Sequence, residues 1–341
     1  MSTFSRRSFI AGMSTIPFAV WFEKHASAQT LTRFNVMSTQ GQQMLTTYRN
    51  AVAAMMSAPQ NSPIGWLFQW YTHAVRNDTT KAAEITRVYP VSSPQKALAQ
   101  EVWSTCQPHF PGSIQDYFLP WHRMYAFFFE RIIRKVSNNS TFTLPYWNYS
   151  TTASPSGPRV PAGFRTPSSA QNSLFRRDRN SLANNGQPID QNSPGALSLG
   201  VLRQCTYSAN GVQPGFNGGL ETGLHGNVHV LVGTTIGMGR VPWAANDPVF
   251  WMHHCNIDRL WASWNRGGRT NPVNNTWLSK QFVFADENGN RVVGTIRDFV
   301  DTNALRYIKT KEPVLGGSSM FMGFGAKKVN SSNPEISLGS C

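Results

Sequence analysis

The stretch DPVFWMHHCNIDRLW, Asp247–Trp261, decides the fold. Aspartate followed by proline opens a helix, and nothing in the next thirteen residues breaks it. Apolar side chains fall on every side, so the helix is read as buried rather than amphipathic. Two histidines stand next to each other in it, His253 and His254. Neighbours on a helix point about 100° apart, so one metal ion seldom uses both. Helical spacing puts Phe250, His254 and Asp258 on one stripe and Val249, His253 and Ile257 on another. It leaves open which imidazole is a ligand.

Working outward, the remaining histidines fall into sets. The chain has eight. His25 lies near the N-terminus, His73, His109 and His122 form one group, and His225 and His229 join the central pair in another. His225 and His229 are four apart, which places them on one face of one helix. The residues between them are Gly226, Asn227 and Val228, so the glutamate of the zinc-protease pattern is missing and with it that general base. Three imidazoles without an acidic or thiolate ligand suit copper or zinc. Two such trios in one chain suggest two copper ions facing each other.

The rest of the chain reads as a mostly helical core with peripheral strands. Residues 37–57 alternate with helical period. Ser62-Pro63 is read as the cap of a helix carrying His73. Pro120 opens a helix that is apolar nearly all round. Thr141–Trp147 reads as extended, and residues 150–200, rich in Ser, Pro, Asn and Gly, as a long surface loop. Leu220–Gly233 reads as one helix ending at glycine. After Trp264 the pattern alternates around DENGN, Asp286–Asn290, a hairpin signal.

Composition narrows the function classes. Net charge is +14, but Lys and Arg do not cluster, which argues against nucleic-acid binding. Ser5–Gly12, SRRSFIAG, then an apolar run to Phe22 and ASA at Ala26–Ala28, resemble a twin-arginine export signal. The apolar run is too short to span a bilayer, so no membrane association is expected after cleavage. Removing residues 1–28 leaves a net charge of +12. Four cysteines in this length form no disulfide framework.

FLPWHRMYAFFFE (Phe118–Glu130), HGNVHVLVG (His225–Gly233), DPVFWMHHCNIDRLW and LPYWNYS (Leu144–Ser150) together resemble the tyrosinase and catechol oxidase family of binuclear copper proteins. The similarity runs from about residue 37 to 310, and residues 276–308 are similar to the region following the catalytic core in plant-type polyphenol oxidases. The resemblance implies a mainly α fold: a four-helix-bundle core holding a dicopper site, long surface loops and a few peripheral β-strands. It implies a signal peptide over 1–28, a catalytic domain over 29–270 and a small subregion over 271–341. The implied ligands are His73, His109 and His122 for the first copper and His225, His229 and His254 for the second. The implied activity is oxidation of o-diphenols, with monophenols or o-aminophenols as further substrates, to o-quinones, with O2 reduced to water. The alternatives are a hemocyanin-like oxygen carrier without turnover and a zinc hydrolase using only the second trio.

Some positions depart from the family pattern. His109 lies thirteen before His122 where nine is usual, and Ser113 occupies the usual place, which implies a four-residue insertion. Cys106 stands three before His109, close to the offset of a cysteine–histidine thioether, with a buried thiol or a disulfide as the other readings. By resemblance, Glu221 holds a water near copper. The asparagine that assists it is replaced by Gly226, with Asn227 one residue on. That departure favours diphenol or aminophenol over monophenol substrates. Phe250 is expected to pack on a ligand imidazole and, with Val230, to sit near the mouth. Asp258 and Arg259 are expected to support the site or to form an ordinary ion pair.

Overall fold

The computed structural model describes residues 31–107, 116–149, 157–212 and 214–302. The long helices are α1 (Thr39–Ser57), α2 (Trp66–His73), α3 (Lys81–Val88), α4 (Pro94–Val102), α5 (Phe118–Ser137), α6 (Gly215–Leu220), α7 (Gly226–Val232) and α8 (Val249–Arg266). One antiparallel hairpin follows, β1 (Gln281–Ala285) with β2 (Arg291–Thr295), in register from Gln281 opposite Thr295 to Ala285 opposite Arg291. The architecture is mainly α, as expected.

Helix α5 lies at the centre because it has almost no polar face. Trp121, Met124, Phe129, Ile132 and Ile133 are all fully buried. Helices α1 and α8 pack on it. Phe129 of α5 stacks on Trp251 of α8 with ring centroids 3.4 Å apart. α5 begins at Phe118, so Pro120 sits in the first turn, where its missing N–H removes no helical bond. β1 adds Phe284, whose ring packs on Trp121, Tyr125 and Phe128.

Local structure departs from the sequence reading in four places. Ser62-Pro63 does not cap α2: it belongs to a turn closed by Gly65 N donating to Ser62 O at 2.9 Å, and the helix starts after Gly65. Leu220–Gly233 is not one helix. Glu221–His225 forms a π-helical turn, and Gly223 leaves helical geometry at φ −89°, ψ −108°. The segment 157–203 does not simply cover the surface. Phe164, Leu174 and Arg179 are buried, and the Arg179 guanidinium donates to both Asp247 oxygens at 2.8 and 2.7 Å. Asp258 and Arg259 do not pair with each other. Asp258 accepts from Arg33 at 3.0 Å and from Arg123, whereas Arg259 donates to Asn256 Oδ1 at 3.0 Å and lies over the Tyr146 ring. Arg33 also donates to Glu130 at 2.9 Å, so one residue ahead of α1 ties α5 to α8.

Ser38 caps α1, its Oγ accepting from Gly41 N at 3.0 Å. Gly41 lies where the incoming chain crosses the helix, and a Cβ there would stand 1.9 Å from Asn35 O. Alanine normally gains about 1 kcal/mol over glycine inside a helix. Here the overlap with backbone outweighs that gain. Gly41→Ala is expected to lower stability by about 1–3 kcal/mol, read as a lower denaturant midpoint at unchanged slope.

Candidate metal centre

Six of the seven histidines after residue 28 lie among the described residues, and all six gather around the facing ends of α2, α5, α7 and α8. Their ring nitrogens, with the Cys106 sulfur, fall into two groups, each with its atoms within 4.8 Å of one another: His225, His229, His253 and His254, and His73, Cys106 and His122. The groups meet where His122 and His254 stack, centroids 4.4 Å apart and planes 9° from parallel. His109, the remaining expected ligand, lies outside the described residues.

Four of these imidazoles are aimed by backbone carbonyls. Nδ1 of His122 lies 2.8 Å from Phe118 O, and Nδ1 of His225 lies 3.0 Å from Glu221 O. Nδ1 of His73 lies 3.1 Å from Val241 O, and Nδ1 of His229 lies 2.8 Å from Met238 O. A carbonyl only accepts, so each Nδ1 carries the proton and each Nε2 keeps its lone pair. This is the tautomer a metal requires. Nε2 of His225 and Nε2 of His229 are 3.0 Å apart. Two bare lone pairs at that distance repel unless a cation lies between them. The spacing matches the edge of about 3 Å between nitrogens about 2 Å from a common metal.

His253 and His254 differ from these four. His253 Nδ1 is hydrogen-bonded to the Tyr149 hydroxyl at 2.8 Å, and its Nε2 is buried without a protein partner. His254 has no protein partner at either nitrogen. Its ring is held by packing instead, against Phe250 at 4.2 Å and Phe118 at 6.4 Å. Phe250 packs on a central imidazole as expected. It is fully buried, so it floors the site rather than lining its mouth, while Val230 is 63% exposed at the rim.

Cys106 Sγ lies 3.6 Å from His122 Nε2, and burial pushes its thiol up. The Glu221 carboxylate is close enough to Cys106 to raise that value further. Asn227 Nδ2 donates to Ala196 O at 2.9 Å. Sequence reasoning missed the Met238 and Val241 carbonyls and the Tyr149 hydroxyl. The carbonyls leave no side-chain trace. Tyr149 was in view within LPYWNYS, but without a reason to place it against His253.

Burial holds the imidazoles neutral. It is the largest cause of the lowering of His122 to about 3 and of His229 to about 4, and neighbouring imidazoles add to burial at His73, His225 and His254. An unfolded histidine titrates near 6.5. Below that pH the unfolded chain takes up protons that the folded chain refuses, so stability falls as pH falls. His122 alone contributes about 1.4 kcal/mol per pH unit between about 6.5 and 3. Metal-free protein is expected to melt progressively lower from pH 7 to pH 4, and His122→Phe is expected to flatten that slope.

The common central domain of tyrosinase matches residues 63–206 and 169–267. The chain belongs to the tyrosinase family. The polyphenol oxidase middle domain matches residues 271–314. Among relatives, tyrosinase HcTyr1 of Hahella sp. (strain CCB-MM4) is 35% identical over 78% of this chain and 60% of its own length. Polyphenol oxidase A1, chloroplastic, of Vicia faba is 31% identical over 75% of this chain and 49% of its own length. The chain thus spans about half to three fifths of these relatives. The crystal structure of Grenache (Vitis vinifera) polyphenol oxidase superposes with a TM-score of 0.61 at 25% identity, covering 82% of this chain and 84% of that one. Latent aurone synthase shares the fold, with a TM-score of 0.63 at 22% identity over 83% of this chain and 58% of its own.

Tyrosinase-family proteins use two copper ions, and the donor set fits that cofactor. The donors are imidazoles, four of them with a free Nε2 lone pair, together with the Cys106 thiol, and no carboxylate belongs to either group. Among the described residues, no helix is long and apolar enough to cross a membrane.

Proposed function

We propose that this chain is a copper-dependent phenol oxidase, converting o-diphenols to o-quinones while O2 is reduced to water. The observation carrying the reading is the gathering of carbonyl-aimed imidazoles into two adjoining groups, with two bare nitrogens 3.0 Å apart in one of them. His73, His109 and His122 would hold the first copper, and His225, His229 and His254 the second. Bound copper supplies the one-electron couple that allows dioxygen to oxidise a phenol.

The chain's own residues do the positioning. Val241, Met238, Phe118 and Glu221 carbonyls fix four tautomers before any metal arrives. Phe250 is fully buried against the His254 ring and excludes water on that side, while Val230, next to His229, is exposed. Glu221 is the water-holding candidate. Gly226 offers no side-chain amide to help it, and the Asn227 side chain is engaged with Ala196. That supports diphenols or o-aminophenols over monophenols, whose bound hydroxyl needs a base.

The proposal extends to organisation: residues 1–28 as a twin-arginine export signal, 29–270 as the catalytic domain and 271–341 as the subregion similar to plant-type enzymes, with the protein working outside the cytoplasm. The test is copper-loaded protein assayed against paired catechol, monophenol and o-aminophenol. Oxygen consumption with catechol and quinone colour is the expected result. Reversible oxygen binding without turnover would overturn it in favour of a carrier, and a single bound metal with hydrolytic activity would favour a hydrolase.

A further inference from the structure

The four anchored imidazoles are anchored in two different ways. His122 and His225 donate to carbonyls four residues earlier on their own elements, Phe118 O and Glu221 O. These bonds are local and follow from the turn the histidine sits on. His73 and His229 reach away from their helices to one connection between α7 and α8: loop 233–240 and Val241, the first residue of the short helix Val241–Ala244 that the loop runs into. Met238 O takes the His229 proton, and Val241 O, three residues on, takes that of His73. His73 belongs to one group of donors and His229 to the other.

The loop is held in one shape by contacts that leave no room for side chains. A Cβ on Gly233 would lie 2.3 Å from Met238 N, and one on Gly239 would lie 2.4 Å from Gly233 O. A Cβ on Gly237 would lie 2.6 Å from Asp178 O. Asp178 O also accepts from Thr234 N at 3.0 Å and Thr234 Oγ1 at 2.8 Å. The next residues continue the hold. Arg179 clamps Asp247 ahead of α8, and Asn180 Nδ2 donates to Val230 O at 2.8 Å at the end of α7. The loop is therefore pressed against Asp178–Asn180, with one histidine-aiming carbonyl on it, at Met238, and the other on the residue it leads into, Val241.

We propose that the 233–241 connection, seated on Asp178, is a shared positioning element that sets the tautomer and aim of one imidazole in each metal trio, so that the two copper sites are organised together. This rests on the ligand assignment proposed above, but its first test does not need copper. Gly237 is the positioning residue to alter. Gly237→Ala must push the loop off Asp178 O and move both carbonyls. Thr234→Val, which removes one hydrogen bond and adds no bulk, is the milder variant should alanine prevent folding.

The readout is the set of imidazole Nδ1–H proton and nitrogen resonances of metal-free protein at neutral pH. In the variants, the His73 and His229 signals are expected to shift or vanish together, while those of His122 and His225 stay in place. Movement of only one of the loop-anchored pair would overturn the proposal, as would equal movement of all four, which marks a general structural effect. Copper titration is the second readout. Loss of an outer partner of a metal-binding histidine weakens affinity about 10–100-fold, and here both equivalents are expected to weaken. Weakening of only one would overturn the coupling. Wild-type protein that takes up fewer than two copper ions would sink the ligand assignment, while the resonance experiment still decides the shared loop.

Discussion

His254→Gln is expected to leave about one copper per chain and to abolish phenol oxidation, while His253→Gln keeps both ions. Geometry brings both imidazoles to the site, so this pair of variants answers the question posed by their adjacency. His254 touches both trios: its centroid is 4.4 Å from His122, 5.1 Å from His225 and 5.8 Å from His229. His253 lies beside His225 and His229 and has Tyr149 at its Nδ1. A tyrosine hydroxyl donating to Nδ1 moves the imidazole proton to Nε2, and that nitrogen then cannot bind a metal. His254 has two buried nitrogens without a protein partner, a penalty of about 1–3 kcal/mol for each that a ligated metal would relieve at one of them. A catalytic metal contributes several kcal/mol, so its loss lowers the rate about a thousandfold or more. Copper content by elemental analysis, read with catechol turnover, checks both variants. If the two exchange outcomes, His253 is the ligand.

Arg179→Met is expected to be the most destabilising single change outside the metal centre. Arg179 and Asp247 are both buried, with bidentate bonds at 2.8 and 2.7 Å. Arg179 also donates to Phe164 O and Leu174 O, both at 2.7 Å. Removing the cation leaves a buried carboxylate uncompensated, which costs about 3–5 kcal/mol. The stranded group also accepts from Val249 N at 3.0 Å, in the first turn of α8, so the damage falls on the helix carrying His254. A drop of several degrees in the thermal midpoint is the measurement. Adding Asp247→Asn, which keeps an acceptor for Val249 N without the charge, is expected to recover part of the loss. No recovery would mean that the Arg179 carbonyl contacts, rather than charge, dominate.

The candidate metal centre was legible wherever a histidine's position follows from its own helix. The four-residue spacing of His225 and His229, and the buried helix holding His253 and His254, both survive in the structure. What could not be read was support supplied from far along the chain. Carbonyls at Met238 and Val241 do their work with backbone atoms that any residue would offer. Asp258 and Arg259 looked like a pair because they are adjacent, yet adjacent helical residues diverge, and the partners of Asp258 come from Arg33 and Arg123. The π turn at Glu221–His225 was the one miss with a visible warning. Gly223 and Gly226 interrupt a stretch otherwise read as continuous helix, and Gly218 and Gly219 stand just ahead of it. The fold class was easier, because long apolar helices and a single turn-marked hairpin are strong local signals.

The tie made by Arg33 limits how far the chain can be shortened from its front. Its guanidinium reaches Glu130, which is wholly inaccessible to solvent, and Asp258, which faces Arg123. A version starting just before Thr32 keeps that tie. One starting at Phe34 leaves Glu130 with Arg134, and Asp258 with Arg123, as their remaining arginines among these contacts. Trimming by a protease therefore breaks a buried ion pair once it passes Arg33.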